Sequence, residues 1–260
     1  MVMTAKETLR AQYDEQGYVQ VPNVLDEALI GETREHLDWL AAKYPDLRPE
    51  QYHSDLMGKD PFWHRLISDE RLLDIAEAFI GPDIALFATH YISKPAYDGQ
   101  PVLWHQDGSY WPLEPMDVVT LWLAVDDSVP ENGCMRVIPG TQHMDLQEMI
   151  ARNDVENVLG SAIDSSLVDE SSAVDIVLPA GSVSVHHPNV IHGSNANLSP
   201  MRRAGLTIRY IPTSTRIKVT PWHSGFLLRG KPVEGINDYL PKPRFVPGEH
   251  MPFRGSEAYR

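Results

Sequence analysis

Cysteine is almost missing from this chain: among 260 residues only Cys134 carries a thiol. One thiol makes neither an intramolecular disulfide nor a thiolate cluster, so disulfide scaffolds and zinc fingers are excluded and any metal must be held by His and carboxylate. Basic residues are also scarce, 22 Lys and Arg against 36 Asp and Glu, and the formal charge of −14 repels polyanions. Nucleic acid and anionic membranes are therefore not expected as partners. Long apolar runs are absent too. Charge interrupts each of them before the roughly 18 residues a membrane span needs, and no apolar stretch follows the basic residues of 1–10. Together these absences predict a cytoplasmic protein. The few basic residues are unevenly placed, with 11 Lys or Arg against 4 acidic residues over 201–260. They are scattered among Pro and apolar positions, unlike the dense patch of a nucleic-acid face.

What is present is a globular composition, 42% hydrophobic and 22% charged, sufficient for the core of a single domain over 1–260. The first eighty residues read as helical. Leu25, Leu29, Ile30, Leu37 and Leu40 fall near helical spacing with Asp26 placed as a cap, and a second helix over 71–80 is stopped by Gly81 and Pro82. From Ile84 the pattern changes to short β runs at 84–93, 118–125, 135–138, 174–178, 182–186 and 206–211, bounded by Gly, Pro and Asn. Strands joined by turns predict antiparallel sheets, a sandwich or barrel over 83–212 covered by a helical layer over 1–82. Residues 143–173 carry seven acidic residues and only Arg152 as a base, and read as an insertion, at about 144–173, that is either a lid or a solvated excursion. The extension 213–260 is Pro-rich, and no element is predicted in it.

The chemistry concentrates in two segments. In Trp104-His105-Gln106-Asp107-Gly108 the His and Asp stand two apart, and on an extended chain they project from one face. Alone this pattern is common and structural. A second segment, 181–194, runs from a strand through a Pro-containing turn to His192-Gly193-Ser194, and His192 becomes the candidate third ligand. Two imidazoles and one carboxylate on one face of an octahedral ion leave adjacent positions open, the arrangement of non-haem Fe(II) oxygenases. Eleven residues after His192 stands Arg203, whose guanidinium fits a carboxylate bidentately, such as the far end of 2-oxoglutarate.

Taken in order, His105-Gln106-Asp107, Asn132-Gly133-Cys134, 138–143 (Ile-Pro-Gly-Thr-Gln-His), His192-Gly193-Ser194 and Arg203 resemble the phytanoyl-CoA dioxygenase family, with the likeness spanning about 89–211. The resemblance implies a mainly β fold with a helical layer, a double-stranded β-helix or cupin-like jelly roll. It implies catalytic, metal-binding His105, Asp107 and His192 around Fe(II), 2-oxoglutarate on Arg203, and cosubstrate contacts at Ser194 and Trp122. It further implies oxidation of an unactivated C–H by O₂, as hydroxylation or oxidative ring closure, with release of succinate and CO₂. Asp107 fills the place that halogenating relatives leave small, so halogenation is not expected.

The remaining candidates are weighed on the residues themselves. His186 and His187 point to opposite faces of a strand, so at most one looks inward, and His192 is preferred because Gly-Ser and the Arg follow it. His90, Trp104, Tyr110 and Trp111 are candidates for a substrate wall, against the alternative that large aromatics serve the core. Gln106, between the ligands, is expected to hydrogen-bond behind them, and Lys94 and His143 are read as structural. No coenzyme A site is evident, and a small specialised metabolite, sugar-bearing or not, is the expected substrate. Two other classes stay open: a cupin-like metal hydrolase or isomerase that uses no O₂, and a non-catalytic binding protein of the same fold.

Overall fold

The computed structural model describes residues 4–260. The N-terminal helices are set by their caps. α1 (Ala5–Gln16) opens with a capping box between Thr4 and Glu7 and ends at Gly17, whose φ of 79° glycine adopts without strain. α2 (Glu27–Lys43) starts where Asp26 accepts a hydrogen bond from the Leu29 amide at 2.9 Å, in agreement with the capping read from sequence. α3 (Ser54–Met57) is one turn, α4 (Pro61–Ile67) is capped by Asp60, and α5 (Glu70–Ile80) by Asp69. The helical reading of the first eighty residues fails at two points. β1 (Tyr18–Val21) and β2 (Tyr52–His53) are strands, because each finds a pairing edge and tertiary pairing outweighs local propensity.

The rest of the chain is β-rich: β3 (Ile84–Tyr91), β4 (Val102–His105), β5 (Leu113–Glu114), β6 (Val119–Ala124), β7 (Met135–Val137), β8 (Ile150–Ala151), β9 (Ser161–Ala162), β10 (Val174–Asp175), β11 (Val183–His186), β12 (His192–Ser194), β13 (Gly205–Pro212), β14 (Arg216–Ile217) and β15 (Phe226–Arg229). The larger sheet runs β1-β11-β6-β13-β3-β15, with β2 also on β3, and the smaller runs β10-β7-β12-β4. All pairings are antiparallel, and the two sheets form the jelly roll that the resemblance implied. The run expected at 174–178 shrinks to β10, with Leu178 reaching Ser128 through one isolated bridge. β14 and β15 lie where no element was read.

Each central strand of the larger sheet presents two different faces. Outward, Leu121 and Leu123 of β6, Val183 and Val185 of β11, and Leu206, Ile208 and Tyr210 of β13 join Leu29, Ile30, Leu37, Leu72, Ala76 and Phe79 of the helices in one buried cluster. Full burial of each such aliphatic chain contributes about 1.5–3 kcal/mol. Inward, the alternate residues Thr120, Trp122, Ser184, His186, Thr207 and Arg209 look toward the smaller sheet. The acidic insertion is folded down rather than extended into solvent: its β8–β9 hairpin lies along β4, where the Ile163 amide donates to Trp104 O at 3.0 Å and Ile163 is buried.

Candidate metal and cosubstrate site

β4 and β12 are adjacent in the smaller sheet, and their register sets His105 opposite His192. The two imidazole centroids are 4.1 Å apart. Asp107 follows on a 3-10 turn (Asp107–Tyr110), fastened by the Gly108 amide to Pro188 O at 2.9 Å in the loop before β12. One ligand atom from each of His105, Asp107 and His192 lies within 4.8 Å of the other two, and all three residues are buried. The sequence-predicted triad is thus brought together.

Both rings are orientated from behind. His105 Nδ1 is 2.8 Å from Leu103 O and His192 Nδ1 is 3.0 Å from Val190 O, so each Nδ1 carries the proton it donates and each Nε2 keeps its lone pair for the cavity. Burial, helped by His105 and His186, holds His192 well below the ordinary histidine range, in the neutral form a metal requires. Burial works against the charge on Asp107, but Arg209 and the surrounding imidazoles outweigh it and hold the carboxyl well below its usual range. Asp107 Oδ2 is buried without a hydrogen-bond partner. Two preset imidazole lone pairs beside an ionised, unsatisfied carboxylate suit a divalent cation such as Fe(II).

Arg203 is 1% exposed, and its guanidinium donates to Gly133 O and Ile92 O, each at 3.0 Å. Its Nε has no partner, and among the described residues no carboxylate comes within ion-pair distance of it. Burial lowers this guanidinium to about 10, with Cys134 and Glu50 acting in the opposite direction. A buried cation without an anion is costly, and a dicarboxylate relieves that cost. Trp122 flanks it, ring centre 5.2 Å from Cζ. Gly205 makes that placement possible, since a Cβ there would collide with the Trp122 indole. Ser194 Oγ accepts from Lys94 Nζ at 2.7 Å. Lys94 is fully buried and burial, with Arg203 beside it, lowers it to about 6.

The cavity between the sheets, about 490 Å³ with the open space at its mouth included, is lined from both, by His105, Asp107, His192, Ser194, Trp122 and Arg203, and by His90, His186, Thr207 and Arg209. Of the four residues read as a substrate wall, only His90 lines it. Its Nε2 is 2.6 Å from Glu50 O, and burial lowers it to about 4. Trp104 does not, because neighbours on a strand alternate: with His105 inward, Trp104 faces outward, under Arg136 at 5.4 Å. Tyr110 is 40% exposed and its hydroxyl meets Ser161 Oγ of the insertion at 2.7 Å. Trp111 packs edge-on against Phe87 and reaches the cavity only through Arg209, which lies over its ring at 5.2 Å.

Two residues escaped the reading of the sequence. His186, passed over in favour of His192, is the inward member of the His186-His187 pair. Both its ring nitrogens lack hydrogen-bond partners, and its Nε2 sits 3.5 Å from Asp107 Oδ2. His187 faces the other way, its ring centroid 5.9 Å from that of Tyr13. Arg209 Nη2 is 3.7 Å from Asp107 Oδ1. The strand alternation Ser184/His186 and Thr207/Arg209 was the available signal. Gln106 does bond behind the ligands: its amide donates to Asn189 O at 2.7 Å and accepts from the Gln147 amide at 2.8 Å.

The family model described as phytanoyl-CoA dioxygenase (PhyH) matches residues 13–205. The chain belongs to the phytanoyl-CoA dioxygenase family. It is thereby one of the Fe(II)- and 2-oxoglutarate-dependent oxygenases. This phytanoyl-CoA dioxygenase family member is 26% identical to the L-proline trans-4-hydroxylase of Streptomyces griseoviridis over 82% of the chain and 88% of that protein. It is 28% identical to the ectoine dioxygenase of Sphingopyxis alaskensis over 68% of the chain and 64% of the relative. Its fold is similar to that of the non-haem monooxygenase ThoJ, with a TM-score of 0.76 at 24% identity, covering 90% of this chain and 88% of the other. It is also similar to the epimerase SnoN solved with Fe³⁺, α-ketoglutarate and nogalamycin RO, with a TM-score of 0.68 at 23% identity, covering 94% and 96%.

No helix among the described residues is long and apolar enough to cross a membrane.

Proposed function

We propose that His105, Asp107 and His192 hold Fe(II), that Arg203 binds the far carboxylate of 2-oxoglutarate with Ser194 and Trp122 beside it, and that the protein oxidises a C–H bond of a small specialised metabolite. Bound there, Fe(II) and 2-oxoglutarate supply the O₂-activating decarboxylation that yields succinate and CO₂. The protein's own residues do the positioning. Leu103 O and Val190 O lock the two imidazoles with Nε2 facing the cavity. Arg203, held by Gly133 O and Ile92 O, offers a dry, preset guanidinium, and Trp122 fixes its plane. Ile92, Val102 and Leu159 line the cavity with apolar surface that keeps water from the reacting bond. His90 and Thr207, on the opposite wall, face the substrate.

The observation that carries this reading is the pairing of a metal-ready triad with a buried arginine that has no anion of its own. Anaerobic addition of Fe(II) and 2-oxoglutarate tests it: a visible charge-transfer band is expected on chelation. Folded, metallated protein without the band rejects the reading. An activity that persists without O₂ and 2-oxoglutarate points instead to a metal hydrolase or isomerase.

A further inference from the structure

Arg209 is the cation in the cavity for which neither the metal nor the cosubstrate accounts. It projects from β13 on the face that carries Thr207, its side chain 11% exposed. Nη1 donates to Thr207 Oγ1 at 2.9 Å and the group rests on Trp111, but Nε is buried without a partner. Among the described residues the one carboxylate within ion-pair range is Asp107, at 3.7 Å, beyond hydrogen-bonding distance.

The charges then decide. On the reading above, Asp107 and one carboxylate of 2-oxoglutarate neutralise the Fe(II), and Arg203 takes the other carboxylate. Arg209 is left as a guanidinium, its side chain only 11% exposed, with its nearest carboxylate committed to the ion. A buried cation in that position costs several kcal/mol unless an anion joins it. Its planar fork matches a carboxylate, its Nε is without a partner, and the residue lines the cavity.

We infer that Arg209 anchors a carboxylate of the organic substrate, so that the substrates are small carboxylic acids. Because Arg209 stands beside a metal ligand, the oxidised carbon lies only a few bonds from that carboxylate. This inference rests on the dioxygenase reading, and the test separates the two.

Protein loaded anaerobically with Fe(II) and saturating 2-oxoglutarate is titrated with proline, pipecolate, cyclohexanecarboxylate and benzoate, and with the carboxamide of each. Binding is read from the shift of the charge-transfer band and by calorimetry. The unaltered protein should bind at least one acid about tenfold or more tighter than its amide, a difference of about 1.4 kcal/mol. Arg209→Gln should bring that ratio close to one, and Arg209→Lys, which keeps the charge but not the fork, should retain part of it. Absence of the band in the unaltered protein rejects the dioxygenase reading itself. With the band present, acids that bind no better than amides, no response to any acid, or a preference that survives in Arg209→Gln each overturn the inference. Should Arg209→Gln fail to load metal, the ratio in Arg209→Lys decides: an unchanged preference overturns the inference.

Discussion

The two faces of the larger sheet, made by the same strands, follow opposite rules. On the helix side Leu206, Ile208 and Tyr210 of β13 are fully buried in an apolar cluster, and the Tyr210 hydroxyl is satisfied by Ile67 O at 2.7 Å. On the cavity side Thr120 Oγ1, Ser184 Oγ, both nitrogens of His186 and Arg209 Nε are buried with no partner. Native interiors rarely tolerate unsatisfied polar atoms. Here they lie on one face, opposite His105, Asp107 and His192, which teaches that the fold draws its stability from one side of each strand and leaves the other under-satisfied for ligands to complete.

The sharpest way to break this comparison is on the cavity side. His192→Ala should lower turnover by at least about 10³-fold, some 4 kcal/mol of transition-state stabilisation, and abolish the charge-transfer band while circular dichroism stays native. Next in size is the helix side. Ile208→Ala should cost about 2–5 kcal/mol by denaturant midpoint, whereas Ser184→Ala, which removes a hydroxyl without a partner, should be neutral or stabilising. If the two substitutions cost the same, the faces do not differ as described. Arg203→Ala should raise the KM for 2-oxoglutarate about 10–100-fold, in keeping with loss of a charge-assisted bond of about 1.5–3 kcal/mol, with a smaller change in kcat.

The smallest effect is in pH. Burial lowers His64 to about 4, with Lys242 adding to it. The unfolded chain therefore takes up the proton first, so this contribution to stability is intact above pH 6.5 and is lost as pH falls toward 4. His64→Gln should flatten the slope of the thermal midpoint against pH over that interval. An unchanged slope would show that other groups, such as His187, also lowered to about 4 by burial, carry it.

Which parts of this were legible in the sequence follows from range. Caps and stops are local, so Asp26 and Gly81 could be read directly. That His105, Asp107 and Arg203 would meet in one place could be read from short spacings, since an extended step at Gln106 puts His105 and Asp107 on one side and Arg203 follows His192 on one connected segment. β4 and β12, which hold the two histidines, were not read as strands: they are short and contain Trp, His and Gly rather than a β-branched run, and they exist through pairing with each other and with β7. β1 was hidden for the same reason. The inward placement of His186 and Arg209, and the outward one of Trp104, required knowing which face of each strand met the cavity, and that is settled only when distant strands come together.

Gln106 sets a limit on how this enzyme can open. Its amide spans the turn before β12 and the first residues of the acidic insertion, and it grows from the backbone between His105 and Asp107. Moving the insertion near Gln147 therefore tugs on the spacing of His105 and Asp107. The β8–β9 hairpin is tied in as well: Ser161 Oγ meets the hydroxyl of Tyr110, on the turn that begins at Asp107, and the Ile163 amide holds Trp104 O beside His105, so the insertion is fastened to the His105–Asp107 segment at more than one point.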